Sequence, residues 1–242
     1  MNSADLLSAS QSLEGASPAE VLTWATRQFP SRLTFATGFG VEGCVLIDFI
    51  SRLKLRIDVF TLDTDLLFPE TYELWRKLEE RYGIEIRAVR PVLSVESQAE
   101  VHGPNLWERN PDRCCEIRKV APLRSALAGF DAWISAIRRD QTPDRAGAKV
   151  VEWDLRFGLI KVNPLVAWTS ADVWSYVRTH GVPYNALHDR GFSSIGCAPC
   201  TTPVLPGEDP RAGRWRGRMK TECGLHSRSS IAQDSRPLAS KG

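Results

Sequence analysis

The chain has 242 residues, a net charge of +2, 43% hydrophobic and 25% charged residues, the balance of an ordinary globular protein of one domain. No apolar run approaches the roughly 20 residues of a membrane span, and the near-neutral balance does not by itself suggest a nucleic-acid or membrane partner. Met1 to Gly15 has no positive flank followed by an apolar block, so no secretory signal is expected and the protein is expected to be cytoplasmic.

In chain order, residues 1–16 read as a tail. Ser17-Pro18-Ala19-Glu20 is a capping box with proline at the first helical position, which predicts a helix to about Gln28. Arg32 to Ala36 reads as a buried strand, followed by a glycine-bearing turn from Thr37 to Gly43 and an apolar helix from about Cys44 to Leu53. Arg56–Leu62 reads as a second strand, Pro69–Tyr82 as a helix closed by Gly83, and Ile84–Val89 as a third strand. Asp112 is expected to cap a helix from Arg113, with Pro122 opening or kinking the next stretch. Ala132–Ile137 and Leu159–Val162 read as strands, and Thr169-Ser170 as the cap of a helix from Ala171 to about Thr179. Strands alternating with helices imply an α/β fold, a parallel sheet covered on both faces. From Gly181 on, glycine, proline and arginine dominate. The expected division is a nucleotide-binding α/β unit over 17–202 and a mobile arm over 203–242.

Six cysteines without a secretory signal point to metal binding or catalysis rather than disulfides. Cys114–Cys115 and Cys197-Ala-Pro-Cys200 are four thiols from two distant segments, suited to zinc or to an iron–sulfur cluster. Adjacent cysteines on a helix point about 100° apart, which is awkward for one small ion and natural for separate corners of a cluster. Cys44, in an apolar helix, reads as a small core residue. Cys223 lies in Lys220-Thr-Glu-Cys-Gly-Leu-His226, beyond a run of arginines. Neighbouring cations favour a thiolate nucleophile there, although an isolated thiol on an arm is also read as incidental.

Between Glu208 and Lys220, the arm carries Arg211, Arg214, Arg216, Arg218 and Lys220 around Trp215. Such a stretch suits nucleic acid, an anionic small molecule gripped by arginine forks, or plain solvation. Three further signals follow strands: the loop from Thr37 to Gly43, Asp63-Thr64-Asp65, and Arg138-Arg139. The first loop lacks the Gly-Lys-Ser/Thr ending of a Walker loop. Together the three predict a nucleotide-phosphate pocket at the carboxyl ends of the strands.

These residues resemble a known family. Leu62-Asp-Thr-Asp-Leu-Leu-Phe-Pro-Glu-Thr-Tyr72, Cys114-Cys-Glu-Ile-Arg-Lys119, Ile137-Arg-Arg-Asp-Gln141, Gly196-Cys-Ala-Pro-Cys200, Gly213-Arg-Trp215 and Glu222-Cys-Gly-Leu-His226 are similar to motifs of the assimilatory adenylyl-sulfate (APS) reductases. These have the adenine nucleotide alpha-hydrolase-like fold. The resemblance covers roughly Leu33 to His226. It implies one four-iron, four-sulfur (4Fe-4S) cluster per subunit on Cys114, Cys115, Cys197 and Cys200, a grouping that goes with APS rather than its 3′-phosphorylated analogue PAPS. It further implies that Cys223 attacks the sulfate sulfur, that AMP leaves, and that thioredoxin or a glutaredoxin-like dithiol releases sulfite from the cysteine S-sulfonate. That reaction belongs to sulfate assimilation and cysteine biosynthesis. By the same likeness Lys119 links cluster and substrate electrostatically, and His226 lies near Cys223. The expected substrate contacts are Thr37, Phe39, Gly40, Leu62, Asp63, Thr64, Arg138, Arg139, Arg211 and Arg214.

The likeness is incomplete at the first loop. The family's Ser-Phe-Gly-Ala-Glu-Asp stands here as Gly38-Phe-Gly-Val-Glu-Gly43, without the hydroxyl and the acidic group. A PAPS reductase, a nucleic-acid-binding or redox-sensing metal module, and an ATP pyrophosphatase are the competing readings, and the oligomeric state is left open.

Overall fold

Among the described residues six short strands form one sheet: β1 Leu33–Thr37, β2 Asp58–Leu62, β3 Arg87–Val89, β4 Ala132–Ile134, β5 Val151–Asp154 and β6 Leu159–Val162, with β4 and β6 buried along their whole length. The computed structural model describes residues 2–226. Successive side chains point to opposite faces. Phe35, Val59, Ile134 and Ile160 therefore enter the larger core, while Phe60, Trp133 and Leu159 enter a smaller one on the other face. The strand order is β3-β2-β1-β4-β6-β5. All pairs are parallel except β5, which runs antiparallel to β6. The sheet expected to be purely parallel thus has one antiparallel edge.

The helices are α1 Ser3–Ser12, α2 Pro18–Gln28, α3 Val41–Arg52, α4 Pro69–Tyr82, α5 Val95–His102, α6 Leu106–Arg109, α7 Pro111–Cys115, α8 Ala121–Leu127 and α9 Ser170–His180. The predicted bounds of α2 and α4 match. In α2, Ser17 and Glu20 form the expected capping box. In α4, Gly83 closes the helix at φ +61°, a left-handed position that glycine occupies without strain. The helix expected from Cys44 starts at Val41, because Gly40 already takes the extended N-cap conformation.

Two expectations fail locally. Residues 3–12 are not a tail but α1, opened by a second capping box between Asn2 and Asp5. The helix expected from Arg113 begins at Pro111 instead, because the side chain of Asn110, not Asp112, accepts the free N–H of Arg113 at 2.9 Å. Cys114 and Cys115 therefore sit beyond its first turn. From Cys115 the backbone passes through one π-helical stretch, Glu116–Val120, into α8.

The arm from Pro203 to His226 lies against the α/β body. Thr201 and Arg214 form an antiparallel bridge, and Trp215 N–H donates to the Cys200 carbonyl at 3.0 Å. A Cβ on Gly213 would stand 2.0 Å from the Thr202 carbonyl oxygen, so the two backbones meet only because this residue has no side chain. The remainder of the expected arm, 227–242, lies outside the described residues.

Candidate active site

The strand order reverses between β1 and β4, whose neighbours β2 and β6 lie on opposite sides. Such a switch point leaves a crevice beyond the carboxyl ends of the strands. A cavity of about 990 Å³ occupies it, and residues of the arm complete its wall.

The loop after β1 forms one side. Thr37 Oγ1 accepts from the Phe39 N–H at 3.1 Å and turns the chain into α3. The N-cap, Gly40, offers no side-chain partner to the first-turn N–H groups, which makes them available to an anion. Phe39 itself points away: its ring is 1% exposed and stacks on Trp75 at 5.5 Å. The two departures at this loop have different physical status. A Cβ on Gly38 meets nothing within 4 Å, whereas a Cβ on Gly43 would stand 2.6 Å from Thr37 Oγ1.

After β2, Leu62 and Thr64 line the cavity and Asp63 does not. The Asp63 carboxylate is buried and accepts from the Tyr72 hydroxyl at 2.7 Å and from Arg90 Nε at 3.1 Å. Burial and this carboxylate push the Tyr72 phenol up, so it remains a donor. Thr64 faces the second cysteine pair, its Oγ1 lying 3.3 Å from Cys197 Sγ.

After β4, the two arginines diverge. Arg138 lines the cavity and donates from Nε to Glu42 at 3.0 Å. Arg139 turns to the opposite side, where it forms a two-pronged pair with Glu14 at 2.6 and 2.9 Å and caps the Ala148 carbonyl. The structure therefore brings Thr37, Gly40, Leu62, Thr64, Arg138, Arg211 and Arg214 to one cavity and leaves Phe39, Asp63 and Arg139 outside its lining.

The four cysteines expected as ligands are free thiols, three buried and Cys200 half-buried. The Ala198 N–H donates to the Leu66 carbonyl at 2.7 Å, which docks the second pair on the loop after β2. Behind the first pair lies Arg118, a residue that the sequence reading did not single out, which ties the loop after β2 to Gln98. It is 1% exposed and its guanidinium reaches the Thr64 carbonyl at 2.7 Å, Asp65 at 2.7 Å and Gln98 at 3.2 Å. Gln98 in turn faces Cys114 Sγ at 3.9 Å. The only sequence signal for it was its place between the cysteine pair and Lys119. Among the described residues, no three His, Cys, Asp or Glu side chains converge closely enough to hold a single metal ion.

Lys119, Arg211, Arg214 and Cys223 line the same cavity. Burial alone would push the Lys119 ammonium down, but the thiols of Cys197, Cys223 and Cys115 outweigh it and hold the ammonium above its ordinary value. Burial pushes Cys115 up, to about 12, with Lys119 opposing. For Cys197, burial is outweighed by Lys119, Thr64 and Arg214, and its thiol falls below the ordinary value.

The nucleophile candidate is pinned by residues on either side. Arg211 donates to the Thr221 carbonyl at 2.9 Å and to the Glu222 carboxylate at 3.3 Å. Glu222 is buried and also pairs with buried Arg145 at 2.9 Å. Neither Arg145 nor Glu222 was predicted. Arg145 reaches Gln141, and Gln141 reaches Glu42 at 3.0 Å, so the segment before Cys223 is tied to the first turn of α3. On the other side, the His226 ring stacks on Trp133 at 5.7 Å and 8°. Burial, with Lys161, Arg145 and Arg211 nearby, holds His226 well below the usual imidazole range. It is neutral at physiological pH. The geometry thus provides a cavity lined by Lys119, Arg138, Arg145, Arg211, Arg214 and the Cys223 thiol.

This site has counterparts. The profile of the phosphoadenosine phosphosulfate reductase domain matches residues 32–203. The adenosine 5′-phosphosulfate reductase of Halalkalibacterium halodurans is 49% identical over 217 residues, covering 89% of this chain and 94% of the relative. That of Bacillus velezensis is 52% identical over 207 residues, covering 85% and 89%. Among solved structures, the phosphoadenylyl-sulfate reductase of Candida auris in its phosphate complex superposes with a TM-score of 0.75 at 36% identity, covering 84% of this chain and 98% of that one. The fold is accordingly the adenine nucleotide alpha-hydrolase-like one. By its matched profile, its relatives and its cavity, the chain belongs to the phosphoadenosine phosphosulfate reductase family, on the side of its adenosine 5′-phosphosulfate reductases.

Proposed function

We propose that this protein reduces adenosine 5′-phosphosulfate to sulfite and AMP through an S-sulfonate on Cys223, with a thioredoxin-class dithiol as reductant. The observation that carries the reading is that Cys223 lines the same cavity as Lys119, Arg211 and Arg214. The names of the relatives supply the substrate.

A thiolate and a phosphosulfate repel each other, so the reaction needs positive charge fixed between them. Lys119 and the two arginines provide it. The Cys223 thiolate attacks the sulfate sulfur, the bond from that sulfur to the phosphate oxygen breaks, and its electron pair leaves with AMP. A phosphate is a competent leaving group without a proton, in keeping with a neutral His226. A reductant thiolate then attacks Cys223 Sγ, and sulfite leaves with the electron pair of the sulfur–sulfur bond. The second thiol of the dithiol resolves the mixed disulfide and returns Cys223 as thiolate. Arg145 and Glu222 hold the nucleophile in reach throughout.

We further infer that Cys114, Cys115, Cys197 and Cys200 hold a four-iron, four-sulfur cluster. The donor set fits: four free thiols from two segments, with Gln98 and Thr64 placed to hydrogen-bond their sulfurs. When bound, the cluster supplies a tie between the two segments and a fixed charge beside Lys119, without a change in its own oxidation state.

The test is sulfite release from APS, and from PAPS in parallel, by anaerobically purified protein with thioredoxin. Wild type is expected to release sulfite from APS, Cys223→Ser to release none, and Cys115→Ser to lose iron and activity together. Sulfite release by Cys223→Ser would remove the nucleophile from the reading, and stoichiometric zinc in active protein would remove the cluster.

A further inference from the structure

Phe39 and Asp63 do not line the cavity, and the side chains they turn toward meet each other. Phe39 stacks on Trp75 at 5.5 Å and 29°. Trp75 stacks on Tyr72 at 6.4 Å and 18°, and the Tyr72 hydroxyl donates to one Asp63 oxygen at 2.7 Å. Arg90 closes the row on the other oxygen at 3.1 Å. Tyr72 and Trp75 stand three residues apart on α4, so the helix presents both on one face. The row therefore runs without a gap from the loop after β1 to the loop after β2. Both loops need support. Each turns through a left-handed residue that is not glycine, Phe39 at φ +56° and Asp65 at φ +54°, a conformation that persists where the surroundings hold it. Phe39 is held by its stack, and Asp65 by its N–H, which donates to the Asp63 carboxylate at 3.2 Å. The buried Trp75 indole N–H has no hydrogen-bond partner, so the position uses the ring and not its polar atom.

Thr37 and Gly40 of the first loop and Leu62 and Thr64 of the second line the cavity. We propose that Phe39, Trp75, Tyr72 and Asp63 form a brace that sets the spacing of these two loops, and so act as positioning residues for a nucleotide that reaches both. This inference rests on the nucleotide reading above, and none of the four residues needs to touch the ligand. A ligand that bridges the loops loses affinity when their spacing drifts, because its two ends no longer fit at once. An anion held by one loop and by the cations of the arm does not. The brace thus separates two properties of one cavity: the cations supply the attraction for charge, and the brace supplies the fit to a nucleotide.

Inhibition of APS turnover by AMP and by inorganic pyrophosphate tells the two apart, since pyrophosphate carries comparable charge without the nucleoside. Three variants of the holoenzyme are compared with wild type. Tyr72→Phe keeps the stack and deletes the bond to Asp63, Trp75→Leu deletes the stack, and Trp75→Phe keeps a ring. The inhibition constant of AMP is expected to rise about tenfold in Tyr72→Phe, the scale of one hydrogen bond to a charged group. A similar rise of about tenfold is expected in Trp75→Leu, the scale of a small displacement of a binding group. KM for APS should rise with it, while kcat stays within about twofold. The inhibition constant of pyrophosphate is expected to stay within about twofold in every variant, and Trp75→Phe to match wild type for both inhibitors. Unchanged AMP inhibition in Tyr72→Phe and Trp75→Leu would overturn the brace alone. An equal rise for AMP and pyrophosphate would also overturn it, by showing that the variants loosen the fold rather than the spacing. Failure of the wild type to release sulfite from APS would overturn the proposed function, and the role of the brace with it.

Discussion

Replacing Glu222 by glutamine would keep the shape of the residue before the nucleophile and delete its charge. The Glu222 and Arg145 side chains are 5% and 8% exposed, so water does little to screen their pair. Removing one partner of such a pair costs about 3–5 kcal/mol, and a hydrogen bond to a charged group is worth about 1.5–3 kcal/mol. The glutamine carbonyl still accepts one bond, and Arg145 keeps its bond to Gln141, so the lower part of the second range applies. A loss of about 2 kcal/mol corresponds to a roughly 30-fold fall in the docking equilibrium of the arm. The sheet does not depend on this pair, so the loss is local. Amide hydrogen exchange is the direct assay: protection over 211–226 is expected to fall about 30-fold while that of β1 and β4 stays unchanged. S-sulfonate formation should slow in parallel. Unchanged arm protection in Glu222→Gln, whatever its activity, would refute the reasoning that this pair holds Cys223 in place.

Three further outcomes follow from the same geometry. His226 sits below its unfolded value of about 6.5, so the undocked arm binds the proton more readily; docking is fully stable above about pH 6.5 and weakens as pH falls below it. Limited proteolysis of the arm should therefore accelerate between pH 6.5 and 5 in wild type and lose that dependence in His226→Phe. Gly43→Ala should destabilise by about 1–3 kcal/mol through the contact with Thr37 Oγ1. Thr37→Ala in the same chain should recover most of it, whereas Gly38→Ser should leave Tm unchanged. Arg138→Gln is expected to raise KM for APS about tenfold or more, and Arg139→Gln to leave it within about twofold, because Arg139 is held by partly exposed Glu14 away from the cavity. Steady-state kinetics on the two variants decides this.

The elements legible in the sequence are those whose signals are local. Proline at N1 and glycine past the end delimit α4 to the residue, and Ser17 with Glu20 opens α2. The strand-end loops were legible as cavity lining because a parallel sheet opens its crevice at the carboxyl ends of its strands. The polar Val151–Asp154 stretch was not legible as a strand: an antiparallel edge needs only one apolar face, and its partner β6 follows after a short turn. Helix α1 was missed although Asn2 and Asp5 stand at capping-box spacing, because its apolar periodicity is weak. Arg138 and Arg139 are adjacent, and no local rule says which one faces the cavity. The difference comes from Glu14, 125 positions away. Glu222 was hidden for a similar reason, since its partner Arg145 belongs to a different segment and only folding brings the two charges together.

The π-helical stretch from Glu116 to Val120 acts as a phase adjuster. Upstream of it, the helix buries Cys114 and Cys115; downstream, it turns Leu123 and Leu127 toward Phe60 and Trp133. A uniform α-helix fixes the angle between those two demands, whereas a π turn adds about one residue, or about 100°, to it. Losing one residue from this stretch would leave a longer and more regular helix from Pro111 to Leu127. That helix could keep its leucines in the core or its two cysteines at their present angle, but it could not do both.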